Sequence, residues 1–397
     1  MSAGATVSRV AELERRQLSG TFAELCRIAS PSGSERACAE HVAAELRSLG
    51  LSVQEDDAAA AAGSDCGNLL TRLPAAAEGA ERDGGRRSVL LCAHLDTVPA
   101  LEPVEPVLVD GFFENANAGI LGADNKAAVA VMLTLARHVH SAGAPVDLEL
   151  LFTVGEEVAL AGSRAFQVAR LRSDFGYVFD HASPIGEVIV GSPSHFRLEM
   201  SFVGAAAHAG IRPEQGRSAI LAAARAIAAM RVGRLDEHTT VNVGTIAGGS
   251  ALNVVPERCT VLAEVRSLEN HRGEELVAEI VDRAQQAANL PDCDCDLDVS
   301  VERTFSGYRL APGERALAVA EAALRSCGYE PTRVLSGGGS DANALIAGGF
   351  PTVNLANGTE RNHEPGERVS VTALEQMLDV ALALLDEAAT LSPGAGR

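Results

Sequence analysis

The sequence is poor in positive charge. Lys and Arg together number 33 against 53 Asp and Glu, which leaves a formal net charge of −20 at pH 7. A surface this acidic repels phosphate backbones and anionic lipids, so the composition argues against a nucleic-acid or membrane partner. No apolar run reaches the roughly 18 residues that span a bilayer, and the first residues lack the apolar stretch of a secretory leader. We therefore expect a cytoplasmic protein.

Cysteine is also sparse, with 8 residues in a chain of 397. None forms a C-x-x-C pair, and the neighbouring Cys293 and Cys295 lack the spacing of a zinc knuckle. The pattern predicts reduced thiols with structural roles. Because 47% of the residues are hydrophobic and 22% are charged, the balance is that of a globular protein and excludes disorder or a collagen-like chain.

Strands alternate with helices in the first half of the chain. Apolar runs at 88–93, 148–154 and 175–179 have the continuous hydrophobicity of strands that are buried on both faces. A helix is predicted over 124–140 between the first two of these strands. The alternation predicts an α/β fold, with a mixed, largely parallel sheet flanked by helices.

The pattern changes near residue 193. Residues 194–303 contain alternating strands and two Ala-rich helices in a β-α-β-β-α-β order, which is typical of a small α+β module. The α/β pattern returns over 304–397, with a strand at 351–355 and a final helix near 371–390. The sequence therefore predicts an α/β domain in two parts, 1–193 and 304–397, interrupted by an inserted α+β domain.

One helix start has a specific signal. Ser32 and Glu35 have the S-x-x-E spacing of a capping box, in which each side chain bonds a backbone N–H of the other residue. Apolar residues follow at helical spacing as far as Gly50, which marks the end of the helix. The sequence thus predicts that Ser32 and Glu35 cap this helix.

Acidic and histidine side chains follow the predicted strands, at the ends where open α/β sheets bind ligands. They are His94, Asp96, Asp124, Glu156, Glu157, Asp180 and His363. An H-x-D pair at a strand end lies on one face, so one residue can bind a metal while the other orients it. Two histidines and three carboxylates suit two zinc ions that share one bridging carboxylate.

Each of these residues also has an ordinary structural explanation. Asp124 has the position of a helix cap, and Asp180 that of a turn residue at a strand end. Glu156 and Glu157 have the pattern of a solvated turn. The metal hypothesis depends on the fact that all of them occur at one predicted sheet edge.

Several sequence strings match a known pattern in a fixed order. They are HLDTVP at 94–99, GADNKA at 122–127, GEE at 155–157, AHAG at 207–210, GGSALNVVP at 248–256, EVR at 264–266, GGGSDAN at 337–343 and NHEPGE at 362–367. Together they resemble the zinc exopeptidase family that contains peptidase T, bacterial carboxypeptidase G and aminoacylase. The resemblance extends from about residue 20 to residue 388 and is strongest to peptidase T-like proteins.

The resemblance implies a role for each residue at the sheet edge. The implied zinc ligands form two pairs and a bridge: His94 with Asp180, Glu157 with His363, and Asp124 between the two ions. Asp96 would hold His94, and Glu156 would be the general base. The implied cofactor is a pair of Zn²⁺ ions, for which Co²⁺ or Mn²⁺ are possible substitutes.

For the inserted domain the resemblance implies a lid that also forms a homodimer. His208 would reach the active site of the partner subunit and stabilise an oxyanion, while Asn253 and Arg266 would hold the substrate. From the residues alone, His208 could instead be a helix-edge histidine in an Ala-rich turn, and Arg266 could belong to a surface ion pair.

We therefore expect a di-zinc exopeptidase that hydrolyses the N-terminal peptide bond of short peptides. Asp180, rather than Glu, favours the peptidase T, dipeptidase and aminoacylase branches of the family. The alternatives are an amidohydrolase, carboxypeptidase or dipeptidase that acts on N-acyl amino acids or C-terminal residues, and a non-catalytic metal-binding relative. The presence of Glu156 and all of the implied ligands favours catalysis.

Overall fold

A computed structural model of the protein describes residues 12–76 and 87–391. Residues 1–11, for which the sequence predicts no secretory leader, lie outside this range. The α-helices of the described residues are, in chain order, α1 (Glu12–Arg27), α2 (Arg36–Ser48), α3 (Ala59–Ala62), α4 (Ala123–Ala142), α5 (Ala161–Ala165), α6 (Ala219–Ala229), α7 (Asn270–Ala288), α8 (Arg315–Ser326), α9 (Asp341–Ala347) and α10 (Val371–Thr390). In this part of the chain, no helix combines the length and the apolar character that crossing a bilayer requires.

The strands of the same residues range from two to ten residues in length. They are β1 (Val53–Glu55), β2 (Leu69–Leu73), β3 (Ser88–His94), β4 (Pro106–Val109), β5 (Phe112–Asn115), β6 (Asp147–Thr153), β7 (Phe175–His181), β8 (Glu187–Ser192), β9 (Ser194–Val203), β10 (Gly233–Asp236), β11 (Thr239–Gly248), β12 (Arg258–Ser267), β13 (Asp296–Phe305), β14 (Tyr308–Arg309), β15 (Thr332–Leu335), β16 (Thr352–Ala356), β17 (Thr359–Glu360) and β18 (Arg368–Ser370).

These elements divide into an α/β unit and an inserted unit. The α/β unit contains the described residues up to 190, residues 310–336 and the described residues from 340 onward. The inserted unit contains residues 191–309 and 337–339. The module predicted over 194–303 lies within the inserted unit.

The main sheet of the α/β unit has a parallel centre in the order β6-β3-β7-β16. Antiparallel strands extend it, with β2 and then β1 beyond β6, and β8 beyond β16. Every residue of β3 is buried, as expected for a strand that helices cover on both faces. This architecture confirms the predicted α/β fold with its mixed, largely parallel sheet.

The parallel strands all end at one edge of this sheet. His94 ends β3 and is paired with Thr153, the last residue of β6. His181 ends β7 and is paired with Ala356, the last residue of β16. The ends of these strands therefore lie side by side, with His94 at the end of β3, Asp180 near the end of β7, and Glu156 and Glu157 shortly after β6.

A small antiparallel sheet, β17-β18-β5-β4, completes the α/β unit. β17 and β18 lie on either side of the segment 361–367, which contains His363. Val369 of β18 is buried and paired with Phe113 of β5. The small sheet therefore holds both ends of the segment that carries His363.

The inserted unit is built on an antiparallel sheet in the order β10-β11-β12-β9-β13, and α6 and α7 pack against β9 and β12. Alternate residues of β9 face this helical layer and are buried, namely Phe196, Leu198, Met200 and Phe202. The short strand β10 precedes β11 and was not predicted, because it is mostly exposed and has no apolar alternation.

β11 has an open outer edge. β10 pairs only with residues 239–241 of this strand. Among the described residues, 242–248 of β11 are therefore paired on one side only, with β12. Most of these residues are exposed. An unpaired strand edge of this kind can bind another strand.

Candidate active site

His94, at the end of β3, directs a ring nitrogen towards two carboxylates. Its Nδ1 lies 2.8 Å from the backbone carbonyl oxygen of Asp96, and a carbonyl oxygen only accepts hydrogen bonds. Nδ1 therefore carries the proton, and in the neutral ring Nε2 presents its lone pair. Nε2 lies 3.3 Å from Oδ1 of Asp124 and 3.6 Å from Oδ1 of Asp180.

Asp124 faces two histidines with its two oxygens. Oδ1 lies 3.3 Å from Nε2 of His94, and Oδ2 lies 3.3 Å from Nε2 of His363. The backbone of Asp124 is not helical, and the regular turns of α4 follow it. Because each of its oxygens faces a different histidine, the carboxylate has the orientation of a bridging ligand.

The second histidine belongs to the segment between β17 and β18. Nε2 of His363 lies 2.8 Å from Oε1 of Glu157 as well as close to Asp124. Unlike the buried His94, the side chain of His363 is 48% exposed. One side of the site is therefore enclosed, and the other is open to solvent.

The donor atoms form two overlapping groups, in each of which all atoms lie within 4.8 Å of one another. One group is His94, Glu156 and Asp180, and the other is His94, Asp124 and Glu157. Imidazole nitrogens and carboxylate oxygens are ligands that Zn²⁺ accepts, so the donor set fits divalent metal ions. The presence of Glu156 in the first group places it close enough to act either as a ligand or as a base.

The site concentrates negative charge in a buried place. Burial, followed by the neighbouring charge of Asp124, raises the pKa of Asp180 to about 7. Burial also raises the pKa of Glu156 well above its usual value, with Asp180 as the next cause. Both raised pKa values show that the cluster disfavours a further negative charge unless a cation neutralises it.

The histidines show the opposite effect. Burial would lower the pKa of His94, but its contacts with Asp124, Asp180 and Asp96 outweigh burial and raise that pKa well above its usual value. The hydrogen bonds with Asp124 and Glu157 raise the pKa of His363 to about 10. The histidines are therefore held where positive charge is favoured, which is where a metal cation would also be favoured.

Asp96 fixes the loop that carries both glutamates. Its Oδ1 accepts a hydrogen bond from the backbone N–H of Glu156 at 3.0 Å, and its Oδ2 accepts one from Glu157 at 3.1 Å. The residue before this pair, Gly155, has φ +60°, a conformation that glycine adopts without strain. Asp96 therefore positions both glutamates as well as lying beside His94.

The predicted capping box is wrong. The helix α2 begins at Arg36, and its cap residue, Glu35, makes no side-chain cap. Instead, Glu35 accepts hydrogen bonds from the backbone N–H of Gly155 and the hydroxyl of Ser64, while Ser32 donates to Oδ2 of Asp96 at 2.7 Å. Both side chains therefore form hydrogen bonds with residues far away in the sequence instead of capping the helix.

Two residues of the segment 361–367 hold Asp124, and sequence reasoning gave them no role. Glu367 is buried and accepts hydrogen bonds from the backbone N–H groups of Leu121, Gly122 and Asp124 at 2.8–2.9 Å. Asn362 donates from Nδ2 to Oδ2 of Asp124 at 2.9 Å. The NHEPGE string contained both residues, but nothing in their spacing indicates a contact with Asp124.

In the inserted unit, backbone pairing brings His208 and Asn253 together. The N–H of Ala209 donates to the carbonyl oxygen of Asn253, and His208 pairs with Val254. Both His208 and Asn253 are exposed. Arg266 lies elsewhere, on β12, opposite His195 of β9.

Arg266 is part of a small charged network. Its guanidinium lies 3.3 Å from both carboxylate oxygens of Glu264 and donates to the carbonyl oxygen of Gly337 at 3.5 Å. His195 lies 2.9 Å from the same carboxylate and 2.6 Å from the hydroxyl of Thr304. The contacts with His195 and Arg266 lower the pKa of Glu264 to about 2. The ion pair that was the alternative for Arg266 is thus present, and the guanidinium also lies beside the glycine-rich segment 337–339.

Two family models match parts of the chain. The model of a peptidase dimerisation domain, of the M20 type, matches residues 190–290. The model of peptidase family M28 matches residues 72–183. The first match lies mostly on the inserted unit, and the second lies on the α/β unit around His94, Asp124 and the two glutamates.

Comparisons of whole chains give longer matches. The protein YqjE of Bacillus subtilis, described as uncharacterized, is 32% identical over 95% of this chain and 100% of its own length. The crystal structure of aminopeptidase PepT from Bacillus cereus is 34% identical, covers 95% of this chain and 99% of its own, and has a TM-score of 0.83. A tripeptidase from Staphylococcus aureus is 31% identical, with the same coverage and a TM-score of 0.87.

Proposed function

Because the chain belongs to the M20 family of metallopeptidases, we propose that it is a di-zinc aminopeptidase that removes the N-terminal residue of short peptides. Membership confirms the family that its sequence motifs resemble, and it makes the chain a hydrolase rather than a non-catalytic relative. The observation that carries the di-zinc proposal is the orientation of Asp124, whose oxygens each face a different histidine.

The proposed metal site uses the residues that converge at the sheet edge. His94 and Asp180 would hold one ion, Glu157 and His363 the other, and Asp124 would bridge them. Bound zinc ions would polarise the scissile carbonyl and make a bound water more acidic. Co²⁺ and Mn²⁺ accept the same ligands, so the metal that is present depends on availability.

Glu156 is the proposed general base. It would take a proton from the attacking water and pass that proton to the leaving amine. Its buried carboxyl has a raised pKa, and Asp96 fixes its backbone N–H. Since a carboxyl whose pKa lies closer to neutrality can both accept and return a proton, these features support the role.

The choice of an N-terminal peptide bond is supported by the relatives. The solved relatives with 34% and 31% identity are described as an aminopeptidase and a tripeptidase.

The inserted unit is proposed to form a homodimer and to help bind the substrate. The match of residues 190–290 to a peptidase dimerisation domain and the open edge of β11 support the homodimer. Arg266 and Asn253 would help to hold the substrate, Arg266 through a carboxylate or the peptide backbone, and His208 would stabilise the oxyanion in the partner's site. The proposed location of the enzyme is the cytoplasm.

Peptide cleavage followed by mass spectrometry tests the proposal. Zinc-loaded protein is incubated with a free tripeptide, its N-acetylated form and its C-terminal amide. Glu156→Gln serves as the test variant, and Glu330→Gln, at an exposed site, serves as the matched control. The zinc content of every sample is measured by inductively coupled plasma mass spectrometry.

We expect the free and amidated peptides to lose their N-terminal residue, and the acetylated peptide to remain intact. Glu156→Gln should slow cleavage about 10²- to 10⁴-fold and retain both zinc ions, whereas Glu330→Gln should behave as wild type. Cleavage of the acetylated peptide would instead indicate an amidohydrolase or carboxypeptidase. Loss of zinc in Glu156→Gln would show that Glu156 is a ligand.

A further inference from the structure

Asn362 makes a hydrogen bond that the proposed mechanism does not use. Its Nδ2 donates to Oδ2 of Asp124 at 2.9 Å, whereas its Oδ1 is buried and has no hydrogen-bond partner. Only the donor end of this amide is therefore used, and it contacts a carboxylate. A buried polar group with one end unpartnered is costly, so the bond to Asp124 needs an explanation beyond stability.

The oxygen that Asn362 contacts is the one that faces His363. Nε2 of His363 lies 3.3 Å from the same Oδ2. In an extended strand, neighbouring side chains point to opposite faces. Here Arg361 and His363 have φ +59° and +66°, so the segment leaves the extended path and directs consecutive side chains at one oxygen.

A carboxylate needs such a partner to keep one orientation. Rotation of the Asp carboxylate about its last bond is soft, so its plane is set by what its oxygens contact. The backbone N–H of Asp124 is held by Glu367, which fixes the chain but does not hold the carboxylate. The hydrogen bond from Asn362 is shorter than the 3.3 Å contacts with the two histidines and restrains Oδ2.

The amide is also suited to this task by its charge. An Arg or Lys at this position would neutralise Asp124 and repel a cation, whereas a neutral N–H leaves the carboxylate its negative charge. Oδ2 can therefore keep a hydrogen bond on one lone pair and direct the other to a metal ion.

We propose that Asn362 is a positioning residue that sets the plane of the Asp124 carboxylate, and so keeps Oδ2 available to the ion beside His363 and Glu157. The proposal rests on the proposed two-metal function. It assigns the hydrogen bond to one side of the site only, because Oδ1 of Asp124 faces His94 and does not contact Asn362.

Stepwise cobalt binding tests this assignment. Metal-free protein is titrated with Co²⁺ by calorimetry and by visible absorption, which reports the coordination of each ion. The variants are Asn362→Leu, which keeps the volume but removes the donor, and Asn362→Ala, which removes it without a packing clash. Asn289→Leu, at the exposed end of α7, is the matched control.

We expect the dissociation constant of one Co²⁺ to rise about 10- to 100-fold in both Asn362 variants. The dissociation constant of the other Co²⁺ should rise less, because the carboxylate turns as one group but loses its hydrogen bond at Oδ2. In a His363→Ala background, the Asn362 substitution should add little, because the two residues act on the same ion. The thermal unfolding of the metal-free protein should not change.

Two results would overturn the proposal. One is unchanged binding of both ions in the Asn362 variants. The other is an equal weakening of both ions together with a lower unfolding temperature of the metal-free protein, which indicates a purely structural role. The titration of wild type tests the two-metal function on its own. If wild type binds fewer than two ions, the proposed function is wrong, whatever the Asn362 variants do.

Discussion

The site residues of the α/β unit and those predicted in the inserted unit differ in how firmly their surroundings hold them. His94 and Asp96 are buried, and each makes several contacts with backbone or side-chain groups. The side chains of His208 and Asn253 are exposed, and Nδ1 of His208 accepts a hydrogen bond from the nearby N–H of Gly210. The side chains of the first set are thus enclosed by the protein, whereas those of the second set face solvent in a single chain.

The comparison shows that several buried carboxylates of the α/β unit hold the backbone of the site. Asp96, Glu35 and Glu367 hold the loops that carry Glu156, Glu157 and Asp124, and the carboxylate of Asp96 also lies 3.5 Å from Nδ1 of His94. Chemistry that needs fixed geometry gains from such restraint. Residues that contact substrates of varied sequence do not need it to the same degree.

The largest effect is expected from Glu156, at the centre of the well-held set. Glu156→Gln should lower kcat about 10²- to 10⁴-fold, because the amide cannot accept the proton of the attacking water. Initial rates on a free tripeptide measure the change, with zinc content determined in parallel. A variant that keeps more than a tenth of the wild-type kcat would contradict the role of the base.

Glu367 is a buried carboxylate of the α/β unit, whereas Glu264 is a half-buried carboxylate of the inserted unit. Glu367→Ala should lower the free energy of unfolding of the metal-free protein by about 3 kcal/mol, because three buried N–H groups lose their acceptor. Glu264→Ala should cost less than about 1 kcal/mol, since it breaks a partly exposed ion pair. Denaturant unfolding of both variants measures the two losses. Equal losses of the free energy of unfolding would contradict the prediction.

Arg266 tests whether the inserted unit contributes to binding rather than to chemistry. Arg266→Lys should raise KM about 10-fold and leave kcat within about 2-fold. A lysine keeps the charge but lacks the planar guanidinium, which binds a carboxylate through two hydrogen bonds. The same assay on the C-terminal amide of the peptide should show a smaller difference between the two proteins. A fall in kcat at constant KM would instead assign Arg266 to the reaction itself.

The smallest effect is a pH dependence confined to the inserted unit. Since its contacts lower the pKa of Glu264 to about 2, the stabilisation they give is present above the usual pKa of 4.5 and is lost as pH falls towards 2. The destabilisation caused by Glu264→Gln should therefore be greatest near pH 6 and shrink below pH 4. Chemical unfolding of the variant and wild type across this range measures it; a pH-independent difference would contradict the assignment.

Much of the fold and the convergence of the acidic and histidine residues could be predicted from the sequence. Continuous apolar runs predict buried parallel strands, and the carboxyl ends of parallel strands lie at the same edge of a sheet. That reasoning was enough to bring His94, Asp124 and Asp180 together. Their roles as ligands, and those of Glu156 and His208, remain predictions.

The contacts that hold the site could not be predicted in the same way. Glu367 lies 246 residues from Leu121, and Glu35 lies 120 residues from Gly155, so no local pattern connects them. For Ser32 and Glu35 the local pattern was misleading, because both side chains make tertiary hydrogen bonds instead of capping the helix. Asn362 was overlooked for a related reason, since its role depends on the turn of the backbone on either side.

The central claim is that Asp124 bridges two metal ions, and anomalous X-ray scattering at the zinc absorption edge tests it most directly. Crystals of zinc-loaded protein should show two peaks beside Asp124, one among His94 and Asp180 and the other among Glu157 and His363. A single peak, or two peaks that do not share Asp124, would contradict the account.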